Sequence, residues 1–463
     1  MMISRILDSA AAVLLVLLTL GFGFREWGVD VPPLLIQGVA LAILLLLGSR
    51  VRATRKAFIV TGIALSVWLA AAGQDWLRLS LDGLDKAAFI AAFFTALSTL
   101  RNVAETSPAL QRTGRFLASQ PPGRRYAALT VGGHLFALLI NYGSISLLGG
   151  LAAQSARSEA DPLIRSLRTR RMLLAIQRGF ISSLPWSPLA FAMAITTAVV
   201  PGASWATSVV PGLGSAAIIL LTGWAMDIIF KPRLANPPKR APVEGSWALL
   251  APLFVLLALL AVTVLGFHAW LDVRVVGVVM LAVPTIAIAW AGLQHRSAGP
   301  ETSLRLRARR FLGKELPAYR GEIVLLMMAG YIGTVGAPLL QPMVRAAGFD
   351  MGVLPPWLVL AMLVWMIPLL GQIGMNPILA VTLIAPLIPA PETLGVAPSA
   401  LVIAIASGWA LSGATSPFTA TTLLIGAFAN VSALHVGLKW NGGYFLVTAC
   451  LLTVWVLVYG FVL

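Results

Sequence analysis

Charge is scarce in this sequence. Only 11 % of residues are Asp, Glu, Lys or Arg, against 59 % hydrophobic residues and a mean hydropathy of +0.90. That composition excludes a soluble domain of this size and describes a polytopic membrane protein. Cysteine is almost absent. The single Cys450 excludes an internal disulfide and a cysteine-cage metal site. The four His are scattered over different segments, and no phosphate-binding loop, catalytic triad or metal motif occurs. The sequence therefore implies no cofactor and no enzyme. Acids are fewest where they would matter most. None of the 17 Asp and Glu falls at the middle of a long apolar run; Asp8, Asp227 and Glu322 come nearest to an apolar edge. Proton pumps and cation carriers usually place a carboxylate at that depth. Its absence argues against a carboxylate proton relay and a cationic substrate, and fits an anionic or neutral solute.

The formal charge of +16 does not signal nucleic acid. Lys and Arg cluster in short loops between apolar runs, where they set membrane orientation, and no basic patch is interleaved with aromatics. The apolar N-terminal stretch lacks a small-residue cleavage site and reads as a first helix rather than a signal peptide. Apolar segments fall at 8–24, 32–49, 57–73, 87–100, 126–156, 172–200, 212–229, 246–266, 275–293, 323–342, 356–390, 398–430 and 441–463. Loop 101–125 and loop 157–171 each carry five Arg. Both belong in the cytoplasm only if 126–156 enters and returns as a re-entrant hairpin. Segment 356–390 has no basic residue and reads as a second hairpin, entering from outside. The expected protein is all-α, with about 11 transmembrane helices and two oppositely oriented hairpins, the N-terminus cytoplasmic and the C-terminus outside, in a bacterial inner membrane.

Two long apolar runs are interrupted. Residues 182–188 read SSLPWSP and residues 412–417 read SGATSP. An offset of 229 aligns Ser187-Pro188 with Ser416-Pro417, Gly179 with Gly408, and Ser183 with Ser412. The hairpins align too, LLINYGS at 138–144 against LLGQIGM at 369–375. Each half thus has a hairpin with a polar, glycine-containing tip followed by a helix broken near its middle, and the topology makes the halves an inverted repeat. Non-helical backbone at membrane depth survives only where protein or a water-filled cavity meets it. Half-helix N-termini offer N–H groups to an anion, and unwound carbonyls offer oxygens to Na⁺. The candidate solute-binding residues are Asn141, Ser144, Ser187, Asn376, Thr415 and Ser416. The candidate cation-binding residues are Gly143, Ser146, Ser183, Gly374, Ser412 and Gly413. Ser182, Thr419, Thr421 and Thr422 add hydroxyls that either face the site or bond back to their own helix. His134 reads as a hydrogen-bonded packing residue, with proton coupling as the alternative. Arg178, with Gln177 beside it, is expected to snorkel to the cytoplasmic interface, with pairing to an anionic solute as the alternative. Trp186 either packs on the solute or wedges the helices.

This order of elements resembles the divalent anion:sodium symporters of the ion transporter superfamily, over nearly the whole chain. That family carries Ser-Asn-Thr at each hairpin tip; here the tips read NYGSIS (141–146) and GMNP (374–377), with Asn376 the matching residue. The resemblance implies a homodimer working by an elevator motion, with scaffold helices in 1–125 and 230–345 and transport halves in 126–229 and 346–463. It implies a Na⁺-coupled secondary transporter of a small anion, a carboxylate or inorganic oxyanion, whose partners are that solute, Na⁺ or H⁺, and membrane lipids. Other branches of the superfamily suggest a proton-coupled or exchange transporter or exporter instead. The reading from another class is a lipid-handling protein or membrane enzyme.

Overall fold

The computed structural model describes residues 2–232, 245–298, 304–348 and 350–463. It is all-helical, with no strand among the described residues. The chain opens with α1 (Met2–Glu26), α2 (Pro33–Gly48), α3 (Ala53–Ala71) and α4 (Trp76–Glu105), followed by the amphipathic α5 (Pro108–Ser119). The first hairpin is α6 (Pro122–Ile140) and α7 (Gly143–Arg157). The first broken helix is α8 (Pro162–Ile181) and α9 (Phe191–Val199), followed by α10 (Trp205–Ile229). Then come α11 (Ala251–Leu271), α12 (Val275–Ala298), the short α13 (Leu304–Arg310) and α14 (Leu316–Ala318), and α15 (Arg320–Ala346). The second hairpin is α16 (Pro356–Gln372) and α17 (Pro377–Ile384), after which one turn, α18 (Pro391–Leu394), leads on. The second broken helix is α19 (Pro398–Thr415) and α20 (Ala420–Ala429), and α21 (Gly442–Phe461) closes the chain.

Among the described residues, nine helices are long and apolar enough to cross a membrane. Two further elements lie outside that count. The 16-residue α2 is shorter than a full bilayer crossing, and α8 carries arginines along its first turns. With α2 and the α8–α9 pair included, the described residues hold eleven segments at the places of the expected spans, and both hairpins are present.

The loops are more helical than their charge suggests. Segment 101–125 contains α5, begun by Pro108 at its first position and capped by Ser107. Segment 157–171 is mostly the start of α8, whose cap Asp161 accepts from the backbone of Leu163 (2.8 Å) and Ile164 (3.2 Å). Asp82, Asp85 and Lys86 lie inside α4, not in a loop, and Arg25 of α1 holds Asp85 through both oxygens at 2.6 and 2.9 Å. Arg233, Lys239 and Arg240 of the basic loop 230–245 lie outside the described residues.

Packing divides the chain into two units. One comprises the residues up to Val103, Leu259–Gly352 and Ile378–Ile388; the other comprises Ala104–Ala258, Val353–Pro377 and Pro389–Leu463. In the first unit, α1 packs on α2 and α12, and α15 packs on α3. Thr382 of α17 seats against Gly333 of α15. The second hairpin is thus divided: α16 and the tip belong to the second unit, and most of α17 to the first.

The second unit contains the repeat, and its contacts are reciprocal. Helix α6 packs along α8, and α16 along α19. Helix α8 packs on α20 as α19 packs on α9, and α10 meets α21. The repeat-matched glycines explain how close the arms come. A Cβ on Gly179 would collide with the Thr130 carbonyl of α6, and one on Gly408 would sit 2.6 Å from the Leu363 carbonyl of α16. Only glycine lets two backbones approach that far. Gly179→Ala and Gly408→Ala should each cost about 1–3 kcal/mol by overpacking, seen as a lower thermal midpoint of the detergent-solubilised protein. Gly38→Ala, with nothing near its Cβ direction, should leave the midpoint unchanged or raise it.

Candidate functional site at the two helix breaks

The first break runs from Ser182 to Ala190, between α8 and α9, and the second from Ser416 to Thr419, between α19 and α20. The downstream half-helices begin at Phe191 and Ala420, 229 residues apart, so the register read from sequence holds through the breaks. Each hairpin tip meets the break of its own repeat. At the first tip, Asn141 is held at φ 47°, a left-handed conformation that costs a non-glycine residue energy. Its Nδ2 donates to the Leu189 carbonyl at 3.5 Å, and Leu189 donates its own N–H to Ser187 Oγ at 3.2 Å. The buried Oδ1 of Asn141 has no hydrogen-bond partner. At the second tip, Ser416 Oγ donates to the Gly371 carbonyl at 2.6 Å. Gly374, at φ 90°, faces the ring of Phe418. Ser412 Oγ is buried without a partner beside Gly371. Asn376 lies in this tip.

The two breaks also meet each other. The Cβ direction of Gly413 points at Ile181 and Leu184. Gln177 of α8, fully buried, donates from Nε2 to the carbonyls of Gly413 (3.3 Å) and Ala414 (3.4 Å). Those carbonyls lie in the last turn of α19, where intrahelical donors run out. Thr421 Oγ1 also donates to the Gly413 carbonyl. Thr419 Oγ1 lies 2.9 Å from Thr421 Oγ1 and 3.1 Å from Thr422 Oγ1, so three hydroxyls gather over the break. Two glycines of the following segments close on the breaks from outside, Gly212 on the Pro185 carbonyl and Gly437 on the Thr415 carbonyl.

The expected residues divide by what their hydroxyls do. Ser144 donates to Asn141 (2.7 Å), Ser183 to Phe180 (2.7 Å) and Thr415 to Leu411 (2.9 Å), each to a carbonyl three or four residues back. Such back-bonds relieve carbonyls around a kink and leave only lone pairs for a ligand. Gly143 is buried at the start of α7, and Ser146 is half-buried one turn on. Asn141, Gly374, Ser412 and Ser416 are the expected residues at tip-to-break contacts, Gly413 lies where the two breaks meet, and Ser187 caps Leu189 within the first break. His134 lies 2.7 Å from Ser182 Oγ and stacks on Trp186, with ring centroids 5.6 Å apart. Ser182 Oγ also lies 2.7 Å from the Gly179 carbonyl, so its one proton has two acceptors within reach, and the tautomer of His134 decides which one takes it.

Arg178 departs from its expected position at the interface. It is 5 % exposed, packed among Tyr126, Tyr444, Gly223 and Asn441. Met172 to Ile181 of α8 are all buried, and the side chain of Arg178 lies inside with them. Asn441, completely buried, escapes a reading of the sequence because KWNGGY looks like an ordinary helix start. Its Nδ2 lies within hydrogen-bond distance of the Ala414 carbonyl (3.1 Å) and Gln177 Oε1 (3.0 Å).

No protein-family model and no curated protein matches the chain. Solved structures do. The chain is similar to the Alcanivorax borkumensis YdaH transporter, whose crystal structure is described as revealing an unusual topology. They share 16 % identity at a TM-score of 0.60, covering 88 % of this chain and 98 % of that one. It is also similar to Neisseria gonorrhoeae MtrF, described as illuminating a class of antimetabolite efflux pumps. There the identity is 14 %, the TM-score 0.60, and the coverage 91 % of this chain and 98 % of the other. The chain has the fold of these multi-pass membrane transporters.

The amides that satisfy the second break give a direct test. Gln177→Leu keeps the volume and withdraws a donor from the Gly413 and Ala414 carbonyls. It should destabilise the protein by about 1–3 kcal/mol, measured by thermal denaturation in detergent. The same change at the exposed Gln74 should have no effect.

Proposed function

We propose that the protein is a secondary active transporter that moves a small anionic solute, a carboxylate or inorganic oxyanion, across the membrane with Na⁺ as coupling ion. The observation that carries this reading is the meeting of two broken helices and two hairpin tips in one unit. Asn141 Oδ1 and Ser412 Oγ are buried there without a hydrogen-bond partner, the Thr419, Thr421 and Thr422 hydroxyls cluster over the second break, and neither the breaks nor the tips contain an Asp or Glu. Carbonyls and hydroxyls without acids suit a monovalent cation and leave the solute to supply the negative charge. The shared fold with solved transporters supports the transport reading over a lipid-handling protein or an enzyme. Kinship with the divalent anion:sodium symporters, a homodimeric assembly and an elevator-type mechanism belong to the same proposal.

Proton-coupled or exchange transport is the second reading. The hydrogen bond of His134 to Ser182 favours it, because it puts a titratable ring against the first break. Thermal-shift measurements on the purified protein separate the two, run in Na⁺ or K⁺ with succinate, citrate, sulfate and phosphate. Stabilisation by one anion in Na⁺ alone is the expected result, reaching about 2.7 kcal/mol at 100 times its Kd. Stabilisation that ignores Na⁺, follows pH and disappears in His134→Gln would replace sodium coupling with proton coupling.

A further inference from the structure

Arg171 and Arg178 stand two turns apart on α8, and their guanidinium groups are treated differently. Arg171 presents its Nε and Nη2 edge to Asp227 of α10, at 2.8 and 2.7 Å. This is the side-on fork by which arginine takes a carboxylate. On Arg178 the same edge is not closed. Its Nε is buried with no partner, and Nη2 reaches only the neutral Asn441 Oδ1, at 3.4 Å. Nη1 donates to Tyr126 at 2.9 Å, and the guanidinium carbon lies 4.1 Å from the centre of the Tyr444 ring. Among the described residues no carboxylate forms an ion pair with Arg178, and Asp227 is committed to Arg171.

A buried cation without an anion is costly in a membrane interior and is retained where it has a task. Symmetry does not explain this one. The repeat-equivalent position is Ser407, whose hydroxyl donates to Ser215 Oγ at 3.2 Å, and the equivalent of Gln177 is Ala406. The second repeat builds its break without a charge. Arg178 lies one turn before the first break and is joined to the second through a single side chain, Asn441.

We propose that the Nε and Nη2 edge of Arg178 is the anion-recognising element of the transporter. It takes a carboxylate or oxyanion of the solute in the geometry in which Arg171 holds Asp227, and Asn441 yields its weak contact. This rests on the reading of the solute as an anion and names the residue that selects it.

The test titrates wild type, Arg178→Gln and Arg178→Lys with sulfate, phosphate, succinate and citrate in Na⁺, following the thermal midpoint. Arg178→Gln should raise the half-saturating concentration of the active anion at least tenfold. Arg178→Lys keeps the charge and loses the fork, and should raise it several-fold. The shift produced by Na⁺ alone should stay the same in all three. A folded variant with the wild-type half-saturating concentration overturns the role of Arg178 and leaves anion transport standing. If Arg178→Gln fails to fold, the lysine variant decides by the same criterion. A wild type that answers to no anion overturns both proposals.

Discussion

Everything in the second unit follows from the backbone groups released where α8 and α19 stop short of crossing. In an apolar interior each such group costs several kcal/mol if left alone, so the surrounding structure must reach in and meet it. The hairpins do part of this. Their first arms ride close along the broken helices because Gly179 and Gly408 remove the side chain from the contact. The tips then arrive at the breaks, and Ser416 of the second break donates to Gly371 at its tip. Gly212 and Gly437 let the next segments come within backbone distance of the breaks. The repeat therefore preserves a set of close approaches more than a set of side chains.

What the approaches leave unsatisfied is met by three side chains in series, and their order fixes their polarity. Arg178 only donates, so it faces Asn441 Oδ1. That turns the Asn441 amide nitrogen toward Ala414 O and Gln177 Oε1. Gln177, accepting at its oxygen, must then point its nitrogen at the Gly413 and Ala414 carbonyls. A donor that cannot reverse thus sets the orientation of two amides that could. The end of α19 receives N–H groups, and a flip at either amide would bring oxygen against oxygen in a site with little water to screen it.

Much of this architecture was legible in the sequence, because membrane depth makes proline and glycine informative. A Ser-Pro break in an uncharged run has few explanations, and two at a fixed offset have fewer. The repeat register and the hairpins were readable from that, and the pairing of each tip with the break of its own repeat came only with the structure. The partners of the breaks were not legible either. Gln177 looked like a neighbour of Arg178 near an interface, and Asn441 like a helix start. Each acquires its role from a contact more than 25 positions away in the chain, on which local pattern is silent. Ser144, Ser183 and Thr415 show the opposite limit: their type fitted a ligand, but local geometry gave their protons to the backbone. The helical content of the basic segments was concealed by the charge used to place them, since an arginine-rich run with Asp161 or Ser107 at its head serves equally as loop and as capped helix.

The repeat also shows where symmetry ends. Breaks, tips and close glycines occur in both halves, so they answer a demand both halves share, namely non-helical backbone at depth. Charge does not. The pair Gln177-Arg178 has become Ala406-Ser407 in the second half. Gln177 serves both halves from one side, since its amide meets the carbonyls at the end of α19; among the described residues the charge of Arg178 meets no acid in either half. Under the proposed anion reading, that one-sided charge matches a solute that carries its own charge at one end. The buried guanidinium, with one edge left open beside a helix whose other inward arginine is already paired, is where that asymmetry resides.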